Sequence, residues 1–391
     1  MKKIGVIIQR FGEDIIGGSE YYALQLLKNL SNDFKFTVYT TTAKNYLTWE
    51  NEYEEGEEKI GGNIIVKRYK VEKVRDIDSF NKFSEKFFSS ENHSAEEEEE
   101  WIREQGPVVP SLVKAVEKEQ DEFGLFFLFT YLYYPVYFSL PKIKKPRLLF
   151  PTTHDELPLY MSIMKRTFEL PEAVLALTEK ELELIEKVFP KKKEQMRKLV
   201  GGIGIEPPSF IDTVSFLKKY SPIDPFIIYI GRIDGGKGVD FLVEKFLSFS
   251  KKKYVQLLLG GKKNMNLPSD FRIKYLGFLS EEEKWQALKS ATLYVHPSQF
   301  ESLSISMLEA MSVGTPVLVN GNSPVMKEHV LKSQAGLYYM NGDEFFEALD
   351  LLLSNSLLRE KMGKRGILYV RENYSWEKIL NNIKEVMGRF I

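Results

Sequence analysis

The feature that most constrains the fold is an alternation of short apolar runs with longer amphipathic segments. The chain opens on KIGVIIQ (3–9), which is rich in β-branched residues, and continues with GGSEYYALQLLKNL (17–30), where Ala23, Leu27 and Leu30 recur at helical spacing. Short β-branched runs are typical of buried strands, and apolar residues at this spacing are typical of an amphipathic helix. The N-terminal segment therefore predicts a strand, a loop and a helix in that order.

The same alternation continues in two series. The first predicts strands at KFTVYT, NIIVKRY, LFFLFT, RLLF and AVLALT, and its helices include one charged segment, Glu96–Gln120. The second predicts strands at FIIYIG, VQLLLG, IKYLG, TLYVH, PVLVN and GLYY, with helices that begin at Val239, Glu281, Leu303, Pro324 and Asp343. Strands that alternate with helices are typical of parallel sheets that are covered by helices.

A proline-containing stretch, 206–225, separates the two series. A chain of 391 residues is also longer than a single hydrophobic core usually supports. We therefore predict an α/β protein of two Rossmann-like, doubly wound domains, residues 1–200 and 201–374, facing each other across a cleft. The carboxyl ends of both sets of parallel strands would then surround the cleft, where ligands of such sheets bind.

Composition excludes several classes of function. Lys and Arg number 54 and Asp and Glu 55, so no overall positive field favours a nucleic acid as partner. Cysteine is absent, which excludes disulfides, zinc–thiolate sites and thiol catalysis, and only four histidines remain as imidazole ligands. Metal binding through soft ligands is therefore not expected, and the sequence predicts no cofactor.

The hydropathy pattern predicts a cytoplasmic protein. The N-terminal apolar run, 4–8, is too short for a signal-peptide core, and no later segment has the length of a membrane span. Two aromatic segments beside lysines, 80–90 and 131–138, leave a peripheral contact with the inner membrane surface open as an alternative. The favoured interpretation is that these aromatic residues belong to the core.

Two loops of the N-terminal half carry unusual residues. Gly17 and Gly18 precede a predicted helix, where missing β-carbons and the helix dipole suit an anionic ligand, although plain turn chemistry explains such a pair equally well. His154 and Asp155 follow RLLF, and a histidine at a strand end can donate to a sugar hydroxyl or transfer a proton. A surface imidazole and a helix-capping Asp155 are the simpler alternatives.

A glycine-rich loop after FIIYIG holds two cations. Arg232 follows Gly231 directly, and Lys237 lies in GGKG just before a predicted helix. Arginine can chelate two phosphate oxygens while lysine supplies a point charge, so the pair predicts a compact diphosphate site. The Walker spacing and the dinucleotide glycine fingerprint are both absent, which disfavours a P-loop ATPase and a nicotinamide oxidoreductase.

The stretch QFESLSISMLEAMSVGTPVLVN (299–320) places Glu301 and Glu309 in an otherwise apolar helix and strand. On a helix from Leu303, Ser302, Ser306 and Glu309 would form a narrow polar stripe opposite the apolar one. We therefore predict that Glu309 and the serines form the wet face of a mostly buried helix.

The two acids suit the two ends of a nucleoside diphosphate sugar. Glu301 would lie beside helix amides that lack intrahelical partners, and the helical rise to Glu309 is about 12 Å. Glu309 could then accept hydrogen bonds from ribose hydroxyls, the amides of residues 302–304 could bind phosphates, and Glu301 could contact the sugar.

In combination these motifs resemble the retaining glycosyltransferases of family 4, which have the GT-B fold. GGSE near the N-terminus, GR followed by KG, and the two glutamates that lead into EAMSVGTPVLVN occur in the family's order over nearly the whole chain. The combination is most specific between residues 226 and 340. The resemblance implies transfer of a sugar from a nucleoside diphosphate sugar to a glycan, lipid-linked or small-molecule acceptor, with retention of the anomeric configuration.

The resemblance also assigns the donor diphosphate to Arg232, Lys237 and the backbone of Ser302, Leu303 and Ser304. It implies that the family's usual independence of metal applies here, because the cations and the helix dipole would neutralise the leaving diphosphate.

For the rest of the donor, the resemblance implies that Glu309 binds the ribose and that Glu301 lies against the transferred sugar as a catalytic candidate. The base would contact backbone groups near Gly277, Phe278 and Leu279.

From the N-terminal domain, the resemblance implies that His154, a second catalytic candidate, and the Gly17–Gly18 loop face the reacting centre. The final helix, 375–391, would pack back onto this domain. Two alternatives stay open: a sugar-nucleotide epimerase of the same fold, and a sugar-nucleotide-binding protein without catalytic activity.

Overall fold

The N-terminal strand lies at the centre of the first of two sheets. The structure is a computed structural model that describes residues 1–15, 17–90, 92–190, 196–198, 202–249 and 254–391. The strands of the first sheet are β1 (Lys3–Ile7), β2 (Lys35–Thr41), β3 (Gly56–Lys59), β4 (Ile64–Tyr69), β5 (Leu125–Phe129), β6 (Arg147–Phe150), β7 (Ala173–Ala176) and β8 (Met196–Lys198). Their order is β3-β4-β2-β1-β5-β6-β7-β8. Neighbours run parallel except β3, which is antiparallel to β4.

The helices that follow these strands differ from the predicted ones in one place. They are α1 (Gly18–Leu30), α2 (Ile77–Phe88), α3 (Ala95–Gln105), α4 (Pro110–Glu119), α5 (Tyr134–Ser139), α6 (Met164–Glu169) and α7 (Glu179–Val188). The predicted single helix Glu96–Gln120 is wrong, because Gly106 at φ 70° ends α3 and Pro107 follows it. A capping box between Ser94 and Glu97 starts α3 at the acidic run.

The second sheet is parallel throughout. Its strands are β9 (Phe226–Ile230), β10 (Gln256–Gly260), β11 (Ile273–Gly277), β12 (Leu293–His296), β13 (Val317–Asn320) and β14 (Gly336–Tyr339), in the order β11-β10-β9-β12-β13-β14. The helices are α8 (Thr213–Tyr220), α9 (Val239–Phe249), α10 (Glu281–Ser290), α11 (Ile305–Ser312), α12 (Pro324–Ser333), α13 (Gly342–Ser354), α14 (Ser356–Asn373) and α15 (Trp376–Met387). The strand order reverses at β1 in one sheet and at β9 in the other, which is the doubly wound pattern. The predicted α/β class with two Rossmann-like domains is confirmed.

The chain divides into two compact units. The first unit holds Met1–Ile203 together with Ile379–Ile391, and the second holds Gly204–Lys378. Within the first unit, Lys384 of α15 forms an ion pair of 2.6 Å with Asp33. The end of the final helix therefore belongs to the same compact unit as the N-terminal sheet.

The aromatic segments near residues 80–90 and 131–138 contribute to the core of the first unit. Phe80, Phe87, Tyr131 and Tyr137 are all buried in one hydrophobic cluster with strands β5 and β6. This burial agrees with the interpretation that these residues serve the core. Among the helices of the described residues, none is long and apolar enough to cross a membrane.

Two glycines on α14 let it pack closely against α11. A β-carbon on Gly363 would lie 2.2 Å from the carbonyl oxygen of Gly314, and one on Gly366 would lie 3.0 Å from that of Met311. Helices approach this closely only where side chains are missing. The position of α11 therefore depends on small residues far along the chain.

Gly363→Ala is expected to lower the free energy of unfolding by about 1–3 kcal/mol because the new methyl group overpacks the contact. In an uncrowded helix the same change would stabilise by up to about 1 kcal/mol. Urea denaturation measures the difference, and Gly18→Ala is the matched control, since a β-carbon there meets open space. Equal stability of Gly363→Ala and wild type would contradict the proposed close packing.

Candidate functional site

Glycines follow three neighbouring strands of the second sheet where each strand ends. The Gly231 N–H donates to the carbonyl of Gly260 at 3.0 Å, and the Gly261 N–H donates to that of Gly277 at 2.8 Å. A β-carbon on Gly261 would lie 1.9 Å from the oxygen of Gly231, so these turns approach each other more closely than other residues would allow. The result is an edge of the sheet that is formed by closely packed backbone rather than by side chains.

The segment predicted to bind the base lies at the end of this edge. Gly277 ends β11 in a left-handed conformation, with φ 78°, and has open space where a β-carbon would lie. Phe278 is 65% exposed and Leu279 is buried. An exposed aromatic ring beside an open glycine turn can stack on a planar base.

The loop after β9 holds both predicted cations. The Asp234 side chain accepts the N–H of Lys237 at 3.0 Å and lies 3.5 Å from the Arg232 guanidinium. Gly238, with φ 70°, closes the loop, and a β-carbon there would lie 2.8 Å from the carbonyl oxygen of Pro297. This contact holds the loop against the segment that follows β12.

Because the two loops touch, the Lys237 ammonium reaches Glu301. The two side chains form an ion pair of 2.5 Å and are both largely buried. The structure therefore pairs Lys237, which was predicted to bind the diphosphate, with Glu301, which was predicted to contact the sugar. A lysine has three N–H donors, so Lys237 can hold Glu301 and still donate to a phosphate.

His296, the last residue of β12, was not predicted from the sequence as a site residue. Its Nε2 lies 3.5 Å from Glu301, and its ring is packed edge-on by Tyr229 and Tyr294. Burial lowers the pKa of His296 to about 4, against the raising effect of Glu301. The imidazole is therefore neutral at pH 7.

Ser304 immediately precedes α11 in an unusual conformation. It has φ 64° and ψ 67°, a left-handed backbone that only a few per cent of non-glycine residues adopt. Its hydroxyl is buried, caps no helix amide and has no hydrogen-bond partner within the described residues. Ser302 and Leu303 precede the helix as well, since α11 begins at Ile305 instead of the predicted Leu303.

The prediction that Glu309 belongs to a wet face is wrong. Glu309 is 3% exposed, and its carboxylate accepts a hydrogen bond of 2.6 Å from Lys284 of α10. Ser306 lies on the same side of α11, but its hydroxyl shares a hydrogen bond of 2.7 Å with the hydroxyl of buried Tyr294. The separation of about 12 Å between the acids stays a prediction, since the helix begins only at Ile305 and Glu301 lies before it.

Lys284 opposes the effect of burial on the carboxyl group of Glu309. Burial raises the pKa of Glu309, and the charge of Lys284 and its hydrogen bond lower it. In the sequence Lys284 looks like an exposed helix residue that pairs with Glu281, and it does form that pair at 2.9 Å. Its second partner could not be predicted from helical spacing.

In the first unit, the two glycines of the predicted ligand loop, Gly17 and Gly18, have different surroundings. A β-carbon on Gly17 would lie 2.1 Å from a carboxylate oxygen of Glu20, which forms a buried ion pair of 2.6 Å with Arg10. Gly17 is therefore needed by the packing of its own unit. Gly18 has open space around it, as the predicted ligand loop requires.

His154 lies in the loop that follows β6 and is partly buried. The residues after it are fixed by the hydroxyls of two tyrosines. Tyr160 donates to Asp155 and Tyr131 donates to Glu156, both at 2.7 Å. The loop presents His154 at the carboxyl edge of the first sheet.

The structure thus groups the predicted residues into two sets. Arg232, Lys237, Glu301, Ser304 and Glu309 lie in the second unit, near the ends of β9 and β12 and on α11. His154, Gly17 and Gly18 lie in the first unit. In the described part of the chain, no three His, Asp or Glu side chains are placed to hold a metal ion.

The buried His296 generates a pH-dependent stability. The unfolded chain binds a proton on this imidazole near pH 6.5, whereas the folded chain does so only near pH 4. The unfolded state therefore binds more protons between these values, and stability falls by about 3 kcal/mol as the pH decreases through this window. We expect His296→Gln to flatten this part of the pH profile.

Urea denaturation of wild type and His296→Gln between pH 4 and 7 measures this effect. Parallel profiles of the two proteins would show that His296 is not a buried neutral imidazole.

Comparisons with known proteins agree with this arrangement. Residues 218–368 match the family model described as glycosyl transferases group 1. An uncharacterized glycosyltransferase of Methanocaldococcus jannaschii is 28% identical over 185 residues, 42% of this chain and 47% of that protein. The phosphatidyl-myo-inositol mannosyltransferase of Mycobacterium leprae is 28% identical over 211 residues, 50% of this chain and 56% of that protein. The chain spans about half the length of these two relatives.

Solved structures resemble the whole chain. Sucrose-phosphate synthase from Thermosynechococcus elongatus has a TM-score of 0.77 at 17% identity, with coverage of 100% of this chain and 99% of that one. Anabaena HepE in complex with UDP-glucose has a TM-score of 0.71 at 14% identity, with full coverage of both chains. Residues 218–368 of this chain are thus similar to the group 1 glycosyltransferases, and its two Rossmann-like units have the GT-B fold.

Proposed function

We propose that this protein transfers a sugar from a nucleoside diphosphate sugar to an acceptor hydroxyl, with retention of the anomeric configuration. The observation that carries the proposal is Ser304 at the N-terminus of α11, whose backbone is strained and whose buried hydroxyl has no hydrogen-bond partner within the described residues. Strained backbone and unsatisfied buried groups concentrate at functional sites. Glu301, three residues before Ser304, is paired with Lys237, so that an anion bound here would meet a cation as well as a helix N-terminus.

The diphosphate of the donor occupies this position in the proposal. The first N–H groups of α11 lack intrahelical acceptors and suit phosphate oxygens, and the Ser304 hydroxyl adds a further donor. Arg232, whose side chain is partly exposed, supplies a guanidinium from the neighbouring loop. These groups stabilise the negative charge that develops on the leaving diphosphate.

The two glutamates bind the rest of the donor. Glu309, which accepts a hydrogen bond from Lys284, also accepts from the ribose hydroxyls. For this the ribose displaces or shares the Lys284 ammonium, since Glu309 is buried under it. Glu301 accepts from a hydroxyl of the transferred sugar, and its own position is fixed by Lys237.

The chemical step needs no covalent intermediate on the protein. The bond between the anomeric carbon and the diphosphate oxygen breaks while the acceptor oxygen bonds to the same face of that carbon. The acceptor proton passes to the leaving phosphate. His154 contributes from the first unit by a hydrogen bond to a hydroxyl at the reacting centre.

The first donor to test is UDP-glucose. The solved structures of Anabaena HepE include complexes with UDP and with UDP-glucose, and a TarM structure contains UDP. The named relatives transfer different groups, among them mannosyl, sulfoquinovosyl and kanosaminyl. The sugar is therefore left to a panel, and we propose a glycan or lipid-linked molecule as acceptor.

Calorimetric titration with UDP-glucose, GDP-mannose and ADP-glucose tests the donor site. Lys237→Ala and Glu309→Gln are each expected to raise the Kd of the bound donor about 10-fold or more, since each removes a charge-assisted hydrogen bond. The control is Lys364→Ala, which removes a highly exposed lysine of α14 and should leave the Kd unchanged.

The same donors incubated alone distinguish transfer from its alternatives. Slow release of free sugar supports a transferase, whereas conversion to a different nucleotide sugar would establish an epimerase. Failure of every donor to bind, or equal affinities for wild type and Glu309→Gln, would refute the assigned site.

Ser304→Gly is expected to raise the stability of the protein while it weakens donor binding. Glycine relieves the left-handed strain and removes a buried hydroxyl without a partner, so the free energy of unfolding should rise by about 1 kcal/mol. Donor binding should weaken, because the hydroxyl no longer meets the phosphate. Gln334→Gly is the matched control: Gln334 is also left-handed, with φ 52°, but exposed at the end of α12. It should gain similar stability and keep full donor affinity; loss of affinity in both variants would contradict the role of Ser304.

A further inference from the structure

A buried carboxylate in the first unit joins the ends of two neighbouring strands. Glu181 is 2% exposed and occupies the first turn of α7. Its carboxylate accepts the N–H of Leu177, just after β7, at 2.7 Å and the N–H of Thr153, just after β6, at 2.5 Å. A glutamate at this position normally bonds to the N-cap amide of its own helix. Here it reaches across to the loop that carries His154.

The loop that Glu181 holds is strained. Thr152 has φ 51°, and a positive φ is a genuine outlier for a β-branched residue. Such a conformation persists only where surrounding contacts fix it. Glu181 fixes the next residue, Thr153, while Asp155 and Glu156 are bound by tyrosine hydroxyls. His154 therefore lies between two anchored stretches of backbone.

A charged carboxylate is energetically unfavourable at the buried position of Glu181. Burial raises the pKa of Glu181 to about 7, although its two backbone hydrogen bonds lower it. Beside burial, the charge of Glu181 raises the pKa of Tyr22 of α1, and it does the same for Tyr131 after β5. In the described part of the first unit, no lysine or arginine forms an ion pair with Glu181. A residue that served packing alone would be more stable as an apolar side chain.

We propose that Glu181 is a positioning residue for sugar transfer: it holds the 151–154 loop so that the imidazole of His154 is oriented for its proposed role. This inference rests on the proposed function, and in particular on the role of His154. Glu181 itself touches no reacting atom in this scheme. It acts by receiving two N–H groups at once, which requires two acceptor oxygens.

Glu181→Gln tests the proposal with little change of shape. The carboxamide has one acceptor oxygen, so one of the two N–H groups loses its partner and the turn relaxes. We expect the rate of donor hydrolysis to fall about 10- to 100-fold, as small misplacements of catalytic groups do. The Kd of the donor should stay unchanged, because the diphosphate groups lie in the second unit. UDP-glucose, GDP-mannose and ADP-glucose serve as probes in parallel.

Glu183→Gln is the matched control. Glu183 lies on the same helix, but its side chain is 61% exposed and paired with Lys180. It should hydrolyse donor at the wild-type rate. The histidine side chains give a second readout, since the chain has only four and each can be assigned by substitution. Glu181→Gln should shift the nitrogen resonances of His154 and leave those of His296 and His329 in place.

A double variant with both His154→Ala and Glu181→Gln distinguishes a positioning role of Glu181 from a general effect of the substitution on stability. If Glu181 acts through His154, the double variant hydrolyses donor no more slowly than His154→Ala alone. Additive losses, or a wild-type rate for Glu181→Gln beside a slow His154→Ala, would overturn the inference. A wild-type rate for His154→Ala would overturn it too. Failure of the proposed function appears separately, as absence of donor binding by the wild type.

Should Glu181→Gln be recovered unfolded, Glu181→Asp replaces it in the same cycle. Aspartate keeps the charge but withdraws it by one methylene from both amides. Partial activity with a partial shift of the His154 resonances is then the expected result, and wild-type values for both would refute the inference.

Discussion

Parallel strands end on the same edge of a sheet, and this constraint places the candidate functional residues of this chain. In the second sheet the ends of β9, β10 and β11 carry the glycine turns, and β12 ends at His296. In the first sheet, β6 and β7 end beside His154 and Glu181. Residues that are far apart in sequence meet because the strands before them run in one direction.

Close backbone approach at the second edge then determines which charges meet. Gly261 lies against Gly231, and Gly238 lies against Pro297. The second of these contacts brings Lys237 onto Glu301. The pairing lowers the repulsion that a free carboxylate would exert on a diphosphate, and the remaining N–H groups of the lysine can still reach a phosphate oxygen. In the proposed donor site, this ion pair is therefore in place before a donor binds.

The sequence predicts the strands well and the environment of charged side chains poorly. Apolar runs such as FIIYI and LYVH form buried strands as expected, because their composition leaves no other favourable placement. The edge strand β3, GEEK, contains no apolar residue and could not be found from the same pattern.

The burial of Glu309 depends on Lys284, whose own spacing suggested only a surface pair with Glu281. The contacts of Glu181 could not be predicted for a similar reason. The segment TEKE is typical of an ordinary capping box, and Thr178 does cap α7. The local periodicity of a sequence does not predict which partners a charged side chain meets in the folded structure.

Buried acids in this protein are stabilised in two different ways, and the difference bears on function. Glu20 and Glu309 each have a cation within 2.6 Å, so the charge of each is balanced where it lies. Glu181 is instead held by two backbone N–H groups from separate strand ends. An ion pair fixes one side chain against another, whereas a carboxylate between two amides fixes the main chain itself. At a strained turn that carries a histidine, control of the main chain is what determines where the imidazole points.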